Sequence, residues 1–367
     1  MIINGKFLSV PMTGVHRVAQ EITNALADLN DEGAGVGAEV WLPRDGAGRT
    51  EAIRLPCRVV GPLRGIPWEQ LTLPAAARGR LLLNLCNIAP VAASNAVTMI
   101  HDAQVYLAPD SYSTGFRAWY RSVQPLIARR HKHLLTVSEF SKSQLVKAGL
   151  ARPDKISVIH NGVDHILAAA PEPAIIDRLG LRRRGYAVAL ASSQPHKNIR
   201  LLLRVFTEPC LDHLKLVLIG GESRSAVAGL VPFPLQNVIF AGRVSDGELR
   251  QLYESALCVA FPSTTEGFGL PPLEAMRVGC PAIVAPCGAL PEVCGDAAIR
   301  ADPVRPRAWI GALADLSRNE DFWRGRASAG RAHAAQFTWR RAAERLLSVL
   351  EAIGARDEAP ERRLAAA

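Results

Sequence analysis

The sequence predicts an α/β chain of two domains, each built on a doubly wound parallel sheet. Three observations carry this. Short apolar runs of strand length alternate with amphipathic stretches of helical period along the 367 residues, the pattern of a parallel sheet covered on both faces. The length, with 49% hydrophobic and 21% charged residues, suits two sizeable cores. Near the middle, residues 168–173 are poor in bulky apolar side chains and carry two prolines, after which the alternation restarts at Tyr186.

Residues 1–8 read as a first strand and residues 15–29 as a helix, with Val15, Val18, Ile22, Leu26 and Leu29 on one face. Strands follow at residues 38–42, 59–61, 81–85 and 97–100, then an amphipathic stretch at 115–131 and a strand at 134–137. A helix starts at Ser138 or Ser141, and residues 156–159 form the last strand of a first domain spanning 1–167. The second domain, 174–337, has strands at 186–191, 214–219, 238–242 and 257–261. Ser245 or Asp246 caps a helix, with Glu248 as capping-box partner of Ser245. From Trp309 the chain reads as helical, with a break at Phe337 and Thr338. Thr338 caps a last helix, 338–354, expected to return to the first domain, and residues 355–367 read as a flexible tail.

The formal charge of +9 is shared between the two halves, so there is no basic block of the kind that binds nucleic acid. A mild basic excess suits small acidic substrates and an anionic membrane surface. The seven cysteines include no Cys-x2-Cys pair, which points to neither zinc nor a disulfide framework and to reduced thiols in the cytoplasm. No apolar run approaches the roughly 18 residues of a membrane span, and the start lacks a signal peptide's apolar core. Membrane contact is therefore expected to be peripheral. The densest basic cluster, Arg129-Arg130-His131-Lys132-His133, is either a solvated helix end or a patch for anionic head groups, through Arg129, Arg130 and Lys132.

The most informative stretch is Pro262-Ser-Thr-Thr-Glu266-Gly-Phe-Gly-Leu-Pro-Pro-Leu-Glu274-Ala-Met. A buried strand ends, a glycine-broken loop follows, and Pro271 and Pro272 open a helix whose first turn is read to include Glu274. The backbone N–H groups of Gly267, Phe268, Gly269 and Leu270 make such a helix start an anion site. Glu266 and Glu274 suit hydroxyls of a sugar or ribose better than phosphates. Alternatively Glu274 complements the helix dipole and Glu266 is a solvated loop charge.

This run resembles the Glu-x7-Glu signature of the retaining glycosyltransferases of family 4. The resemblance implies the GT-B architecture, two Rossmann-like domains facing a cleft, and transfer of a hexose from a nucleotide-sugar without a metal cofactor. It implies Glu274 on ribose hydroxyls, Glu266 on sugar hydroxyls and the Gly267 to Leu270 amides on the diphosphate. Ser192-Ser193-Gln-Pro195-His-Lys197-Asn198 resembles the family's Pro-x-Lys-Asn segment, which implies Lys197 on the diphosphate, flanked by Ser193 and Asn198. His196 stands where many relatives carry another cation, and Arg243 could replace it only if the fold brings it near. His101, after an apolar run, resembles the family histidine beside the transferred sugar, where it would orient the donor and stabilise developing charge. Asp102 either fixes its ring or is structural. Gly14, in the first strand-to-helix turn, falls near donor phosphate or acceptor, and Arg17 is either an acceptor contact or a solvated charge. Trp68-Glu69-Gln70 resembles a family segment whose role the sequence does not disclose.

The resemblance favours bacterial polysaccharide mannosyltransferases, hence GDP-mannose as donor and a glycan or lipid-linked glycan as acceptor. UDP-glucose or a deoxysugar donor, a nucleotide-sugar 2-epimerase and a nucleotide-sugar-binding regulator remain open alternatives.

Overall fold

A computed structural model describes residues 1–232 and 235–365, with side chains as far as Ala355. The chain separates into two compact units. One comprises residues 1–106, 112–162 and the chain from Thr338 onward, and the other residues 107–111 and 163–337.

The first unit is a seven-stranded parallel sheet of β1 (Ile2–Asn4), β2 (Glu39–Leu42), β3 (Cys57–Val59), β4 (Leu82–Asn84), β5 (Ala96–Met99), β6 (His133–Thr136) and β7 (Ile156–Val158), in the order β3-β2-β1-β4-β5-β6-β7. Its central strands are buried on both faces, which is why they read as apolar runs instead of alternating ones. The first strand is shorter than expected. After Asn4 the chain enters a 3-10 turn, Gly5–Ser9, where the Asn4 side chain accepts from the Lys6 amide. A side chain at Gly5 would meet Val40 at 2.7 Å, so close packing on β2 sets this departure.

Helix α1 (Gly14–Leu29) buries Val18, Ile22, Leu26 and Leu29, the expected face. Helix α2 (Thr114–Arg130), capped by Ser113 on the Phe116 amide, buries only Val123, Gln124, Ile127 and Ala128 along its length. Phe116, Trp119 and Leu126 are exposed on it. The basic cluster at its end is thinner than its sequence suggests. Arg129, Arg130 and Lys132 are exposed, whereas His131 and His133 point inward, the former between Thr98 Oγ1 (2.7 Å) and the Pro90 carbonyl (3.0 Å). The last helix, Trp339–Ala365, packs against α1, and Arg340 makes a two-pronged pair with Glu32 at 2.6 and 2.7 Å. It runs beyond residue 354 through a segment rich in Ala, Arg and Glu, all strong helix formers. Residues 366–367 of the expected tail lie outside the described residues.

The second unit is a six-stranded parallel sheet of β8 (Tyr186–Leu190), β9 (Lys215–Ile219), β10 (Val238–Gly242), β11 (Cys258–Phe261), β12 (Ala282–Val284) and β13 (Ile299–Arg300), in the order β10-β9-β8-β11-β12-β13. Its first three strands run one way across the sheet and its last three the other. The order therefore reverses between β8 and β11, where open α/β sheets leave a crevice at the strands' carboxyl ends. Trp309 and a run of Leu and Val side chains fill its core. The expected capping box forms, Ser245 with Glu248. Residues 168–173 lie within this unit, held by the Glu172 amide on the Gly247 carbonyl (3.2 Å) and by Ser245 Oγ on the Glu172 carboxylate (2.6 Å). Among the described residues, no helix is long and apolar enough to cross a membrane.

Candidate functional site

The reversal point of the second sheet is where the signature residues gather. The chain leaves β11 at Phe261, crosses residues 262–269 and enters helix α3 (Leu270–Arg277). Gly269 at its N-cap has φ +102°, and a side chain there would strike Leu290 at 2.5 Å, so the turn needs glycine. Gly288, φ +63°, lies against the backbone of Glu266, where a Cβ would sit 2.4 Å from the amide nitrogen. The Ala289 amide donates to the Glu266 carbonyl at 3.0 Å. Glu266 is thus fixed from its main chain outward.

The chain leaves β8, the neighbour of β11, into the 3-10 turn Pro195–Lys197. Bonds to the β11 loop and to Pro303 hold this turn and the Asn198 that follows it. The Thr264 amide donates to the His196 carbonyl (2.8 Å), Asn198 Nδ2 donates to the Pro262 and Pro303 carbonyls (3.3 and 2.9 Å), and Lys197 Nζ donates to Glu266 Oε1 (2.7 Å). Asn198 therefore shapes the loop, in a left-handed conformation (φ +52°) that asparagine tolerates. The Lys197 and Glu266 side chains are 22% and 11% exposed, so a charge pair stands largely withdrawn from water but still open to a ligand.

Glu274 is held differently. The helix begins at Leu270, so Glu274 opens the second turn, not the first as its spacing from the prolines suggests, and the first turn carries no acidic residue. It is buried, with Oε1 3.2 Å from Nε2 of His165 on the turn Asp164–Leu167. The two glutamates thus have separate partners, and neither is a solvated charge.

The other expected donor residues lie along the same carboxyl edge. Ser193, after β8, donates to Glu222 after β9 at 3.0 Å. Arg243, after β10, lies with its guanidinium over Gly221, about 3 Å from where a Cβ would stand. It is two strands away from the turn that carries Lys197, because β9 intervenes. His196 supplies no cation. Its Nδ1 meets Ser111 Oγ at 2.7 Å, and burial, helped by the Lys197 charge, drives its pKa down to about 4. Phe268 is buried edge-on to Phe337, and Gly267 is buried beside it.

In the first unit His101 follows β5 as expected. It is 5% exposed, with Nε2 2.8 Å from the Leu85 carbonyl, and its backbone amide donates to Asn87 Oδ1 at 2.7 Å. A carbonyl partner requires the proton on Nε2, and burial brings the pKa down to about 4. His101 is therefore neutral near pH 7 and cannot stabilise charge as a cation; its Nδ1 lone pair is an acceptor. Asp102 accepts from the Gln104 amide at 2.9 Å. Gly14 is the first residue of α1 and is exposed, with no positive φ. Arg17 reaches Glu21 at 3.4 Å.

Trp68-Glu69-Gln70 gains a structural account. The Trp68 indole donates to the Val60 carbonyl, and Gln70 pins Ala89 and Val91. Glu69, 3% exposed at its side chain, pairs with Lys6 at 2.7 Å and accepts from Asn4, which also donates to Asn84. Asn4 and Asn84 end β1 and β4, the reversal point of the first sheet. A polar residue closing an apolar run is the sequence signal for this network. Neither His165 nor Gly288 gives any comparable signal.

Two doubly wound parallel sheets, the second with a Lys–Glu pair and a glycine-started helix at its reversal point, are the sheet arrangement of the GT-B fold. The comparisons with known proteins agree. A model of Glycosyltransferase Family 4 matches residues 12–166, and one of Glycosyl transferases group 1 matches residues 184–319. The O-antigen chain mannosyltransferase B of Escherichia coli is 34% identical over 257 residues, 66% of this chain and 67% of that protein. The O-antigen chain mannosyltransferase RfbU of Salmonella typhimurium is 29% identical over 231 residues, 62% of each. This chain thus spans about three fifths to two thirds of the length of these two relatives. The crystal structure of Anabaena Alr3699/HepE in complex with UDP and glucose shares the fold, with a TM-score of 0.74 at 20% identity over 96% of this chain and 99% of that one. The chain belongs to the family 4 glycosyltransferases.

Proposed function

We propose that this protein transfers a hexose, with retention of anomeric configuration, from a nucleotide-sugar to a hydroxyl of a glycan or lipid-linked glycan in cell-surface polysaccharide assembly. Mannose from GDP-mannose is the first assignment, supported by the names of the two relatives. The observation that carries the reading is the Lys197 to Glu266 pair of 2.7 Å at the reversal point. In this reading Lys197 and the Gly267, Phe268, Gly269 and Leu270 backbone meet the diphosphate. They bind it more strongly as its charge grows on departure, which lowers the barrier. Glu266, steadied by Lys197, accepts from sugar hydroxyls, and Glu274 accepts from the ribose. Ser193 and Arg243 line the nucleoside side, Gly14 the donor phosphate or acceptor side, and His101 accepts from a sugar hydroxyl at Nδ1. A Glu266 already paired with lysine is a poor nucleophile, which favours entry of the acceptor hydroxyl on the leaving-group face. No metal is invoked.

The test is a donor screen followed by product analysis. GDP-mannose should raise the melting temperature more than UDP-glucose or dTDP-deoxysugars, since a ligand at 100 times its Kd adds about 2.7 kcal/mol. With acceptor, NMR should show an α-linked product from the α-linked donor. A β-linked product would refute retention. Release of free sugar and nucleotide at full rate without acceptor would point to a 2-epimerase, and binding without turnover to a regulator.

Peripheral membrane contact is part of the same proposal. Helix α2 contains no acidic residue, carries Arg117, Arg121, Arg129 and Arg130, and exposes Phe116, Trp119 and Leu126. Cations beside exposed aromatic side chains suit an anionic bilayer surface, and Lys132 follows directly. The protein should float with vesicles containing phosphatidylglycerol and remain behind with phosphatidylcholine alone; equal recovery in both would remove the idea.

A further inference from the structure

We propose that His165 is a positioning residue for Glu274: it holds one oxygen of the carboxylate and so presents the other to the ribose hydroxyls of the nucleotide. The proposal rests on the reading of Glu274 as the ribose acceptor and adds the group that fixes it.

The geometry gives the reason. A carboxylate has about four lone-pair directions and rotates freely about its last bond unless something holds it. Glu274 sits on a helix wall with a side chain 10% exposed, and the His165 side chain that faces it, at 3.2 Å from Oε1, is 7% exposed. His165 comes from the short 3-10 turn Asp164–Leu167, and the backbone around it is anchored at several points. The Val163 amide donates to the Phe337 carbonyl at 3.0 Å, Ile166 is 1% exposed, and Arg250 Nη1 donates to the Leu167 and Ala169 carbonyls at 2.9 and 3.0 Å. The turn therefore brings the ring to the carboxylate as a rigid mount. An imidazole N–H can hold a carboxylate oxygen without the fixed full charge of lysine or arginine, which would weaken the carboxylate as an acceptor. Tyr253, 1% exposed on the neighbouring helix Asp246–Ser255, closes the same space and feels the Glu274 charge. A carboxylate so enclosed gains a fixed direction, and two adjacent hydroxyls are a ligand that rewards one.

The experiment measures calorimetric affinity for GDP and UDP, each against its 2′,3′-dideoxy counterpart, in wild type, Glu274→Gln, His165→Ala and His165→Gln. Wild type should prefer the ribonucleotide. His165→Ala should weaken the ribonucleotide by about tenfold and leave the dideoxynucleotide unchanged, so that the preference collapses. His165→Gln, which keeps an N–H donor, should recover most of it. Two results overturn the proposal while sparing its foundation: full preference retained in His165→Ala, or equal weakening of both nucleotides with a lower melting temperature, which is a structural role only. If Glu274→Gln itself keeps the full preference, the ribose assignment fails, and the role of His165 fails with it.

Discussion

Lys197→Ala should lower turnover by about 10²- to 10³-fold, the scale on which a single donor to developing negative charge counts in an enclosed site. The argument turns on what Lys197 touches. Its ammonium is 2.7 Å from Glu266 Oε1, yet its side chain keeps 22% of its surface open, so one N–H is committed to the carboxylate and two donors remain for a ligand. Removing the lysine does two separate things. It withdraws the cation from the departing diphosphate, and it leaves Glu266, 8% exposed, without its counter-charge. The second effect should cost stability, by less than the 3–5 kcal/mol of a fully buried pair because the lysine is partly hydrated. A double-mutant cycle separates the two. Lys197→Ala combined with Glu266→Gln should regain stability, since no charge is left unpaired, and should regain none of the turnover. If the double variant regained both, Lys197 would serve only to balance Glu266, and the site assignment would fall. Lys197→Arg is expected to keep the charge but misplace it, because the short 3-10 turn sets the reach for an extended ammonium.

How far the site was legible follows from what each residue depends on. Glu266, Glu274 and the loop and helix start between them lie in one continuous stretch, so the resemblance of that stretch to the family signature could pick them out. Lys197 was legible as a cation near a helix start, but its partner was not, because the 69-residue separation of Lys197 and Glu266 is closed only by the pairing of β8 with β11. Strand order is a long-range property, and apolar runs do not state their neighbours. His165 escaped for the same reason, as it reaches Glu274 from a turn with no periodicity of its own. The start of the chain misled, since apolar residues on both sides of Gly5 look like one strand, whereas packing against Val40 bends the backbone there. The charge state of His101 was hidden too: a histidine after a strand reads the same whether solvated or buried, and only the Leu85 carbonyl and the closed surroundings make it neutral.

Stability should fall steeply as pH drops from about 6.5 to about 4, and three buried histidines set the window. His101, His131 and His196 each have a pKa of about 4 in the fold against 6.5 unperturbed, in every case chiefly through burial. The sign is fixed by linkage. Below 6.5 the unfolded chain binds these protons and the folded chain does not, so stability present above 6.5 is lost as pH falls towards the folded value. A shift of this size is on the order of 3 kcal/mol per histidine, and the slope near pH 5 approaches about 4 kcal/mol per pH unit for three protons. Glu69 works against them. Burial pushes its carboxyl up, against Lys6 and Asn4, so its contribution is present below 4.5 and fades as pH rises through its folded value. Three protons against one leave a net loss in acid. Two of the histidines and Glu69 belong to the first unit and His196 to the second, so both units should lose stability in acid. Urea unfolding at pH 7.5, 6.5, 5.5 and 4.5 measures the slope. His131→Gln should start less stable at pH 7.5, since the ring bridges Thr98 and Pro90, yet lose less on acidification, by about one proton. A wild-type stability that stays flat from pH 6.5 to 4.5, or an unchanged slope in His131→Gln, would show that these rings titrate normally in the fold, and the neutral His101 on which the sugar contact depends would go with them.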